Sequence, residues 1–348
     1  MDQGIVLSVI IPVYNGERYL QRMVTMLGKQ TFQNFEVLFI DDGSTDNTYQ
    51  LCRQYAKSNP HINVIHVENQ GVSHARNIGI EAAQGEWIQF IDVDDIIHQN
   101  MFLAFRENLE ELGGDLAVCG CIRRNVEINE DTLCGPEENA LVCKKDIIQL
   151  FQRMKMEQRY WILDYIWNKW YKKEVIERYH IRFTEELSLG EDFVFNTQYF
   201  QHISSFVMIS KFLYKYEVHT DGLASRFQER PWEGRKILFD KQKELYRAMG
   251  ILESSISEIR RQYGQIFWGD IRRINNINCH FNMKQRVVFI RKMVNSQMFD
   301  MILDYLNAKR EKKFKIYRAI MKTKNVFIIY CAIRLENFLS HSLYQARA

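Results

Sequence analysis

Within its first hundred residues the chain repeats one rhythm four times: an apolar run, a turn, then apolar residues at helical spacing. Residues 6–13 (Val-Leu-Ser-Val-Ile-Ile-Pro-Val) form a near-continuous apolar run, the signature of a strand buried on both faces. Pro12 stands at its end, where a missing donor is tolerated. Tyr14-Asn15-Gly16 turns into a segment, 17–29, with Tyr19, Leu20, Met23, Met26 and Leu27 at helical spacing. A second strand over 35–40 ends in Asp41-Asp42-Gly43-Ser44-Thr45-Asp46, whose short polar residues start a helix over 46–58. A third strand over 63–67 leads through Asn69-Gln70-Gly71 into helix 72–83, and Gly85 opens the fourth strand. Strand–helix repetition of this kind predicts an α/β fold, a doubly wound, mostly parallel sheet.

Beyond residue 100 the rhythm loosens. Asp115–Cys121 reads as a fifth strand, 123–145 as polar loop, and 146–178 as helices rich in Trp and Tyr. Two short strands are expected at 205–209 and 212–217, on either side of Ser210-Lys211. From about 231 the pattern is helical and basic, which places an α/β domain at 1–228 and a helical region at 229–348. Trp161 with Tyr165, and Trp167 with Tyr171, lie at i,i+4 and are assigned to the packed face of a helix rather than to stacking on a ligand.

Composition excludes several classes. A net charge of +3 over 348 residues provides no general field for nucleic acid. The seven cysteines are odd in number and lack a CxxC pair, so free thiols in a reducing compartment are expected rather than a zinc site. No apolar run approaches the ~18 residues of a membrane span. The run Ile5–Val13 has Asp2 and no basic residue ahead of it, so it is assigned to a strand rather than a signal peptide, and the chain to the cytoplasm.

The chemistry-bearing stretch is Gly85-Glu86-Trp87-Ile88-Gln89-Phe90-Ile91-Asp92-Val93-Asp94-Asp95, with three carboxylates in four residues at a strand's carboxyl end. Ligands bind at that edge of open α/β sheets. Paired carboxylates there suit a hard divalent cation whose shell is completed by phosphates; the competing assignment is one cap and two solvated acids. No GxGxxG follows the first strand and no GxxxxGK[ST] occurs, so a phosphate group must be neutralised by other means, and a metal at Asp94 meets that need. Asp42 is assigned to ligand binding, Ser44 and Asp46 to capping. Glu191-Asp192 opens a helix predicted over 191–202, where the macrodipole favours ionised carboxylates; this suits a general base as well as a cap.

These segments together resemble the bacterial family 2 glycosyltransferases of GT-A fold. The resemblance is carried by Ser8-Val-Ile-Ile-Pro-Val-Tyr-Asn15, Gln30-Thr-Phe32 with Phe35-Glu-Val-Leu38, Asp41-Asp-Gly-Ser-Thr-Asp46, Asn69-Gln-Gly-Val-Ser73, Ala75-Arg-Asn-Ile-Gly79 and Gly85 through Asp95. It recurs at Trp167-Asn-Lys169 and Gly190-Glu-Asp192. It implies an inverting transfer of a sugar from a nucleotide-diphosphate sugar, most often UDP-linked, to a hydroxyl, with Mn²⁺ or Mg²⁺ as cofactor. On this resemblance Pro12, Val13 and Tyr14 line the uracil site, Asp42 meets the base, and Arg76 lies near the diphosphate. Asp92-Val93-Asp94 is the DxD motif, with Asp92 towards the ribose, Asp94 on the metal and Asp95 assisting. Asp192 is the catalytic base and Glu191 faces the acceptor. The chain departs from the family at Gly222-Leu-Ala-Ser225, where Gly-Ser-Ile-Ser is usual, and His219 precedes that loop.

The implied partners are the sugar donor and a glycan or lipid-linked acceptor, without nucleic acid, in cell-surface polysaccharide synthesis. A sugar nucleotidyltransferase is the rival enzyme class, but Tyr14-Asn15-Gly16-Glu17-Arg18 lacks the glycine-rich basic loop it requires. A non-catalytic binding module on the same fold predicts lost acids, whereas Asp42, Asp92, Asp94 and Asp192 all stand. Lys309–Lys324 carries eight basic residues and one acid, and apolar 326–333 follows. A basic amphipathic segment such as 309–333 is either a solvated face or a peripheral contact with the inner face of the membrane. The same helices offer a surface for a homo-oligomer.

Overall fold

The computed structural model describes residues 4–147, 149, 164–187, 189–218, 229–275 and 279–345, with side chains described as far as 335. It divides into two compact units, residues 1–220 and 221–348.

The first unit is built on strands β1 (Leu7–Val13), β2 (Phe35–Asp42), β3 (Ile62–Val67) and β4 (Trp87–Phe90). Helices α1 (Glu17–Gly28), α2 (Thr48–Ser58) and α3 (Val72–Ala82) connect them. These four strands pair in parallel in the order β3-β2-β1-β4. Every residue of β1 and β2 is buried, as their apolar centres require, and the buried acids of β2, Glu36, Asp41 and Asp42, lie towards its two ends. The chain leaves β1 on one side through β2 and β3 and returns on the other at β4. A topological switch point therefore lies between β1 and β4.

Close packing sets α3 against β1. A Cβ on Gly79 would stand 2.3 Å from Ile10 Cγ2, so only glycine lets the helix approach this near. The turn before β4 is pinned by a buried acid: Ser8 Oγ donates to Glu36 Oε1 at 2.6 Å, and the Gln84 amide donates to the same oxygen at 2.7 Å.

The rest of the sheet is mixed. Beyond β4 come β9 (Lys169–Lys172), β6 (Leu116–Asn125), β10 (Ser205–Val218) and the two-residue β5 (Ile96–Ile97); β7 (Glu130–Cys134) joins β6 and β8 (Ala140–Cys143) joins β10. β10 runs parallel to β6, while β5, β7, β8 and β9 pair antiparallel. Helix α4 (Met101–Leu112) follows β5, and α5 (Lys173–Arg178) and α6 (Glu191–His202) lie between β9 and β10.

Three expectations change here. Residues 169–172 form a strand, not a helix, because they are wedged between β4 and β6 and bond to both. Trp170 and Tyr171 therefore face opposite sides of the sheet. The Trp170 ring stacks on Phe105 of α4 at 5.4 Å, while Tyr171 meets Phe195 and Tyr199 of α6. Their assignment to the core holds, with Trp167, Trp170 and Tyr171 all at 1% exposure or less. Second, the polar stretch 123–145 contains β7 and β8, outer strands whose exposed residues hide the apolar alternation. Third, the two short strands at 205–217 are one strand, with register irregularities at Ile209/Phe212 and Phe212/Tyr214. Trp161, His219, Gly222–Ser225 and Arg226 lie outside the described residues.

The second unit has six described helices: α7 (Pro231–Ala248), α8 (Leu252–Arg273), α9 (Met283–Val294), α10 (Phe299–Ala308), α11 (Lys312–Lys322) and α12 (Val326–Gln345). Pro231 occupies the first turn of α7, and Asn282 with Gln285 forms a capping box on α9. At Gly264 a Cβ would stand 1.9 Å from the Met301 carbonyl oxygen, so α8 and α10 cross backbone to backbone. Among the described residues no helix is long and apolar enough to cross a membrane.

Candidate active site

The loops after β1, β2 and β4 converge at the switch point. Asn15, held at φ 50°, ties the first two: its amide donates to Ser44 Oγ at 2.9 Å and its Oδ1 accepts from the Thr45 amide at 2.8 Å. Gly16 N–H donates to Thr48 Oγ1, and Asp46 Oδ1 accepts from the Thr48 amide, so Ser44 and Asp46 serve the turn. Pro12 and Val13 are buried at the end of β1, whereas Tyr14 is 53% exposed and free to cover a planar ligand. Asp42 is buried, and its two oxygens accept from the Gln70 and Gly71 amides at 2.9 Å each. The carboxylate thus fixes the start of α3 and keeps its remaining lone pairs.

Arg76 is the centre of the arrangement. Its side chain, 4% exposed, projects from α3 beneath the ends of β4 and α6. Nη2 donates to Asp92 at 2.9 Å; Nη1 donates to Glu191 at 3.2 Å and Asp192 at 3.0 Å. One guanidinium thereby joins carboxylates separated by a hundred residues in sequence. Packing holds it there, with the guanidinium 5.3 Å from the Phe183 ring centre and Phe183 stacked on Phe195 at 4.2 Å. Neighbouring Asn77 exchanges hydrogen bonds with the Phe183 backbone and reaches Glu185 at 2.9 Å. Asp192 and Glu191 stand in the first turn of α6. Burial pushes the Asp192 carboxyl up to about 8; Arg76 opposes that rise, and Glu191 and Asp92 add to it.

The two last acids of the β4 loop point to different work. Asp94 is half-buried, and its backbone carbonyl accepts from Arg22, whose other nitrogen reaches Glu217 at 3.2 Å. Asp95 is buried at 1% exposure; it accepts from the Tyr214 hydroxyl at 2.7 Å and the Glu217 amide at 3.2 Å. Burial first, then Asp92 and Asp94, raise its carboxyl well above the usual range. Asp95 therefore braces the loop against β10. Among the described residues no group of three His, Cys, Asp or Glu converges as a metal cage. The donor set fits a cation carried in by phosphates and held by few carboxylates, rather than a closed protein site.

Sequence reasoning gave Lys169 no role and passed over Arg22, Tyr214 and Glu217. Lys169 is fully buried and donates to Asn168 Oδ1 at 2.8 Å and to the Tyr165 carbonyl; burial holds its ammonium down to about 7, against the pull of Asp164 and Asp192. Asn196, one turn beyond Asp192, donates to the Asp164 and Tyr165 carbonyls. Nothing local in the sequence marks Tyr214 or Glu217, since β10 brings them to the loop from over a hundred residues away. A cleft lies beside α3, lined by His74, Asn77, Arg182, Phe183 and Glu185; Asn77 and Phe183, which pack around Arg76, reach it, but Asp42, Asp92, Asp94, Glu191 and Asp192 do not line it.

The loops at the switch point of the sheet thus gather acids from the β4 loop and from the first turn of α6 around one guanidinium. The family model described as glycosyl transferase family 2 matches residues 8–179. EpsH of Bacillus subtilis, named as a glycosyltransferase, is 31% identical over 246 residues, 67% of each chain. EpsJ of the same organism, also named as a glycosyltransferase, is 30% identical over 216 residues, and the match spans 62% of each chain. The chain belongs to glycosyl transferase family 2. The structure of Staphylococcus aureus TarS residues 1–349 in complex with UDP-GlcNAc superposes with a TM-score of 0.67 at 20% identity, covering 93% of this chain and 89% of that one. This likeness extends the shared fold into the helical region.

Proposed function

We propose that this protein is an inverting glycosyltransferase that moves a sugar, hexosyl or N-acetylhexosaminyl, from a UDP-sugar to a hydroxyl of a glycan or lipid-linked glycan acceptor in cell-surface polysaccharide synthesis. The observation that carries the reading is the Arg76 node, which brings the Asp92 loop and the Asp192 helix turn within hydrogen-bond reach of one group. A donor site and a base are useful together only in that proximity. TarS, the relative whose complex contains UDP-GlcNAc, supports the choice of donor.

Tyr14 covers the uracil, and Asp42, fixed by two amides, stands by its edge. Asp92 meets the ribose, and Asp94, with Asp95 bracing its loop, would hold Mn²⁺ or Mg²⁺. When bound, the cation supplies Lewis-acid neutralisation of the diphosphate. The fit follows from charge: Asp92 and Glu191 crowd one guanidinium and Asp94 adjoins them, so a bare diphosphate meets repulsion. Asp192 takes the proton of the acceptor hydroxyl as its oxygen bonds to the anomeric carbon and the bond from that carbon to the diphosphate breaks. A single displacement of this kind inverts the centre. Glu191 orients the acceptor. Arg76 keeps both acids of α6 in place and supports the charged state of Asp192. A carboxyl raised towards neutrality is matched to proton transfer at physiological pH.

The test is UDP release from UDP-GlcNAc and other UDP-sugars with Mn²⁺. Asp192→Asn is expected to lower turnover by about 10²–10⁴-fold, and Asp94→Ala by a comparable factor with loss of the response to Mn²⁺. Turnover at wild-type level in both variants would refute the reading. Release of inorganic pyrophosphate from UTP and a sugar phosphate would favour the nucleotidyltransferase instead.

A further inference from the structure

We propose that the outer face of α11 and α12 docks the protein onto an anionic membrane surface. On α11, Lys312, Lys315, Ile316, Ala319 and Lys322 are exposed, one helical stripe, while Met321 packs inward. On α12 the stripe continues through Phe327, Ile328, Cys331, Arg334 and Leu335, opposite buried Ile329, Tyr330 and Ile333. Ile316 is 60% exposed, Phe327 60%, Ile328 45% and Leu335 59%. Four large apolar side chains on two adjoining helices are more than the scattered exposure ordinary surfaces show.

Charge identifies the occupant. Of 46 basic and 43 acidic residues, 25 and 12 fall in 221–348, so that unit carries +13 while residues 1–220 carry −10. The near-neutral whole conceals a strongly basic helical unit. Its stripe concentrates the excess: Lys312, Lys315 and Lys322 have no carboxylate partner among the described residues, and the Lys324 contact with Asp300 is a loose 4.0 Å. Lysines bordering exposed Phe, Ile and Leu match a bilayer interface, where headgroups meet the cations and acyl chains the apolar tips. A second copy meeting this face about a two-fold axis brings lysines against lysines. A soluble polyanion pairs the lysines and leaves Phe327 and Ile328 in water. No described helix can span a bilayer, so the contact lies on the surface.

The experiment is flotation of the full chain with phosphatidylcholine vesicles, with and without 30 mol% phosphatidylglycerol, at low and high salt. Binding is expected only to the anionic vesicles and is expected to weaken steeply with salt. Combining K312Q, K315Q, K322Q and K324Q is expected to cost well over tenfold in binding, since each basic residue near the surface is worth roughly fivefold. F327S/I328S is expected to weaken binding severalfold while wild-type UDP release in solution is retained. Equal binding to neutral and anionic vesicles, or none to either, overturns the proposal without any variant. Self-association abolished by F327S/I328S in the absence of vesicle binding assigns the face to a second copy. Polyphosphate binding as tight as vesicle binding and indifferent to F327S/I328S assigns it to a soluble polyanion.

Discussion

At the scale of single residues, Arg76 and Asp192 oppose stability to chemistry. A carboxyl whose folded value is raised contributes stability only while it is protonated, so the contribution is complete below about pH 3.8 and is lost as pH rises through about 8. Above about pH 8, where the carboxyl is charged, Asp192 therefore destabilises the fold. Asp192→Asn is expected to raise the melting temperature by about a few degrees at pH 8, less at pH 6 and not at all near pH 4, while lowering turnover by about 10²–10⁴-fold. A melting point that falls at pH 8 would contradict the raised state. Activity has the same origin: kcat/KM is expected to rise with unit slope through the acid range and level off near pH 8. Arg76→Met strands three acids around a buried apolar side chain and is expected to destabilise by about 3–5 kcal/mol, read by urea denaturation. Arg76 was legible as a site residue in Ala75-Arg-Asn-Ile-Gly79, but its partners on α6 were not, since they come from residues 115 and 116 positions away.

At the scale of elements, glycines set the distances on which the site depends. Gly79→Ala places a methyl against Ile10 in the core, and we expect a loss of about 1–3 kcal/mol. Coupling to Ile10→Ala in a double-mutant cycle is the check, because removing the opposing branch restores room. Additive effects would place the strain elsewhere. The parallel half of the sheet was readable because buried strands are apolar throughout and helices alternate with them regularly. β9 was not, for four residues of Lys-Trp-Tyr-Lys satisfy a helical or a strand pattern equally. Bonding to β4 and β6 decides the matter, and no local signal encodes those neighbours. The same holds for β7 and β8, whose exposed residues resemble loop.

At the scale of the molecule, we propose that the two units melt as separate folding bodies, divided near residue 220. On the proposed function, UDP with Mn²⁺ is expected to bind the first unit and, at one hundred times its Kd, to add about 2.7 kcal/mol to that unit's stability. Gly264→Ala forces the α8 and α10 backbones apart and acts on the second. Calorimetry is expected to show one transition raised by UDP and Mn²⁺ and a different one lowered by Gly264→Ala. A single transition responding to both would show one cooperative body. The charge division, −10 against +13, is invisible in the whole-chain value of +3 and is the same at the boundary read from the sequence, since residues 221–228 carry one acid and one base.

Local patterning alone determined the parallel half of the sheet, the position of α6, the acidic ends of β2 and the β4 loop, and the basic stripe near the C-terminus. Each depends on neighbours within a few turns of chain, where apolar period, capping and turn chemistry act. The tertiary structure decided which acid faces which partner: that Asp42 is held by two amides, that Asp95 turns inward to Tyr214, and that Arg76 gathers Asp92, Glu191 and Asp192. Desolvation and ion pairing belong to three-dimensional proximity, and separation along the chain carries no record of them.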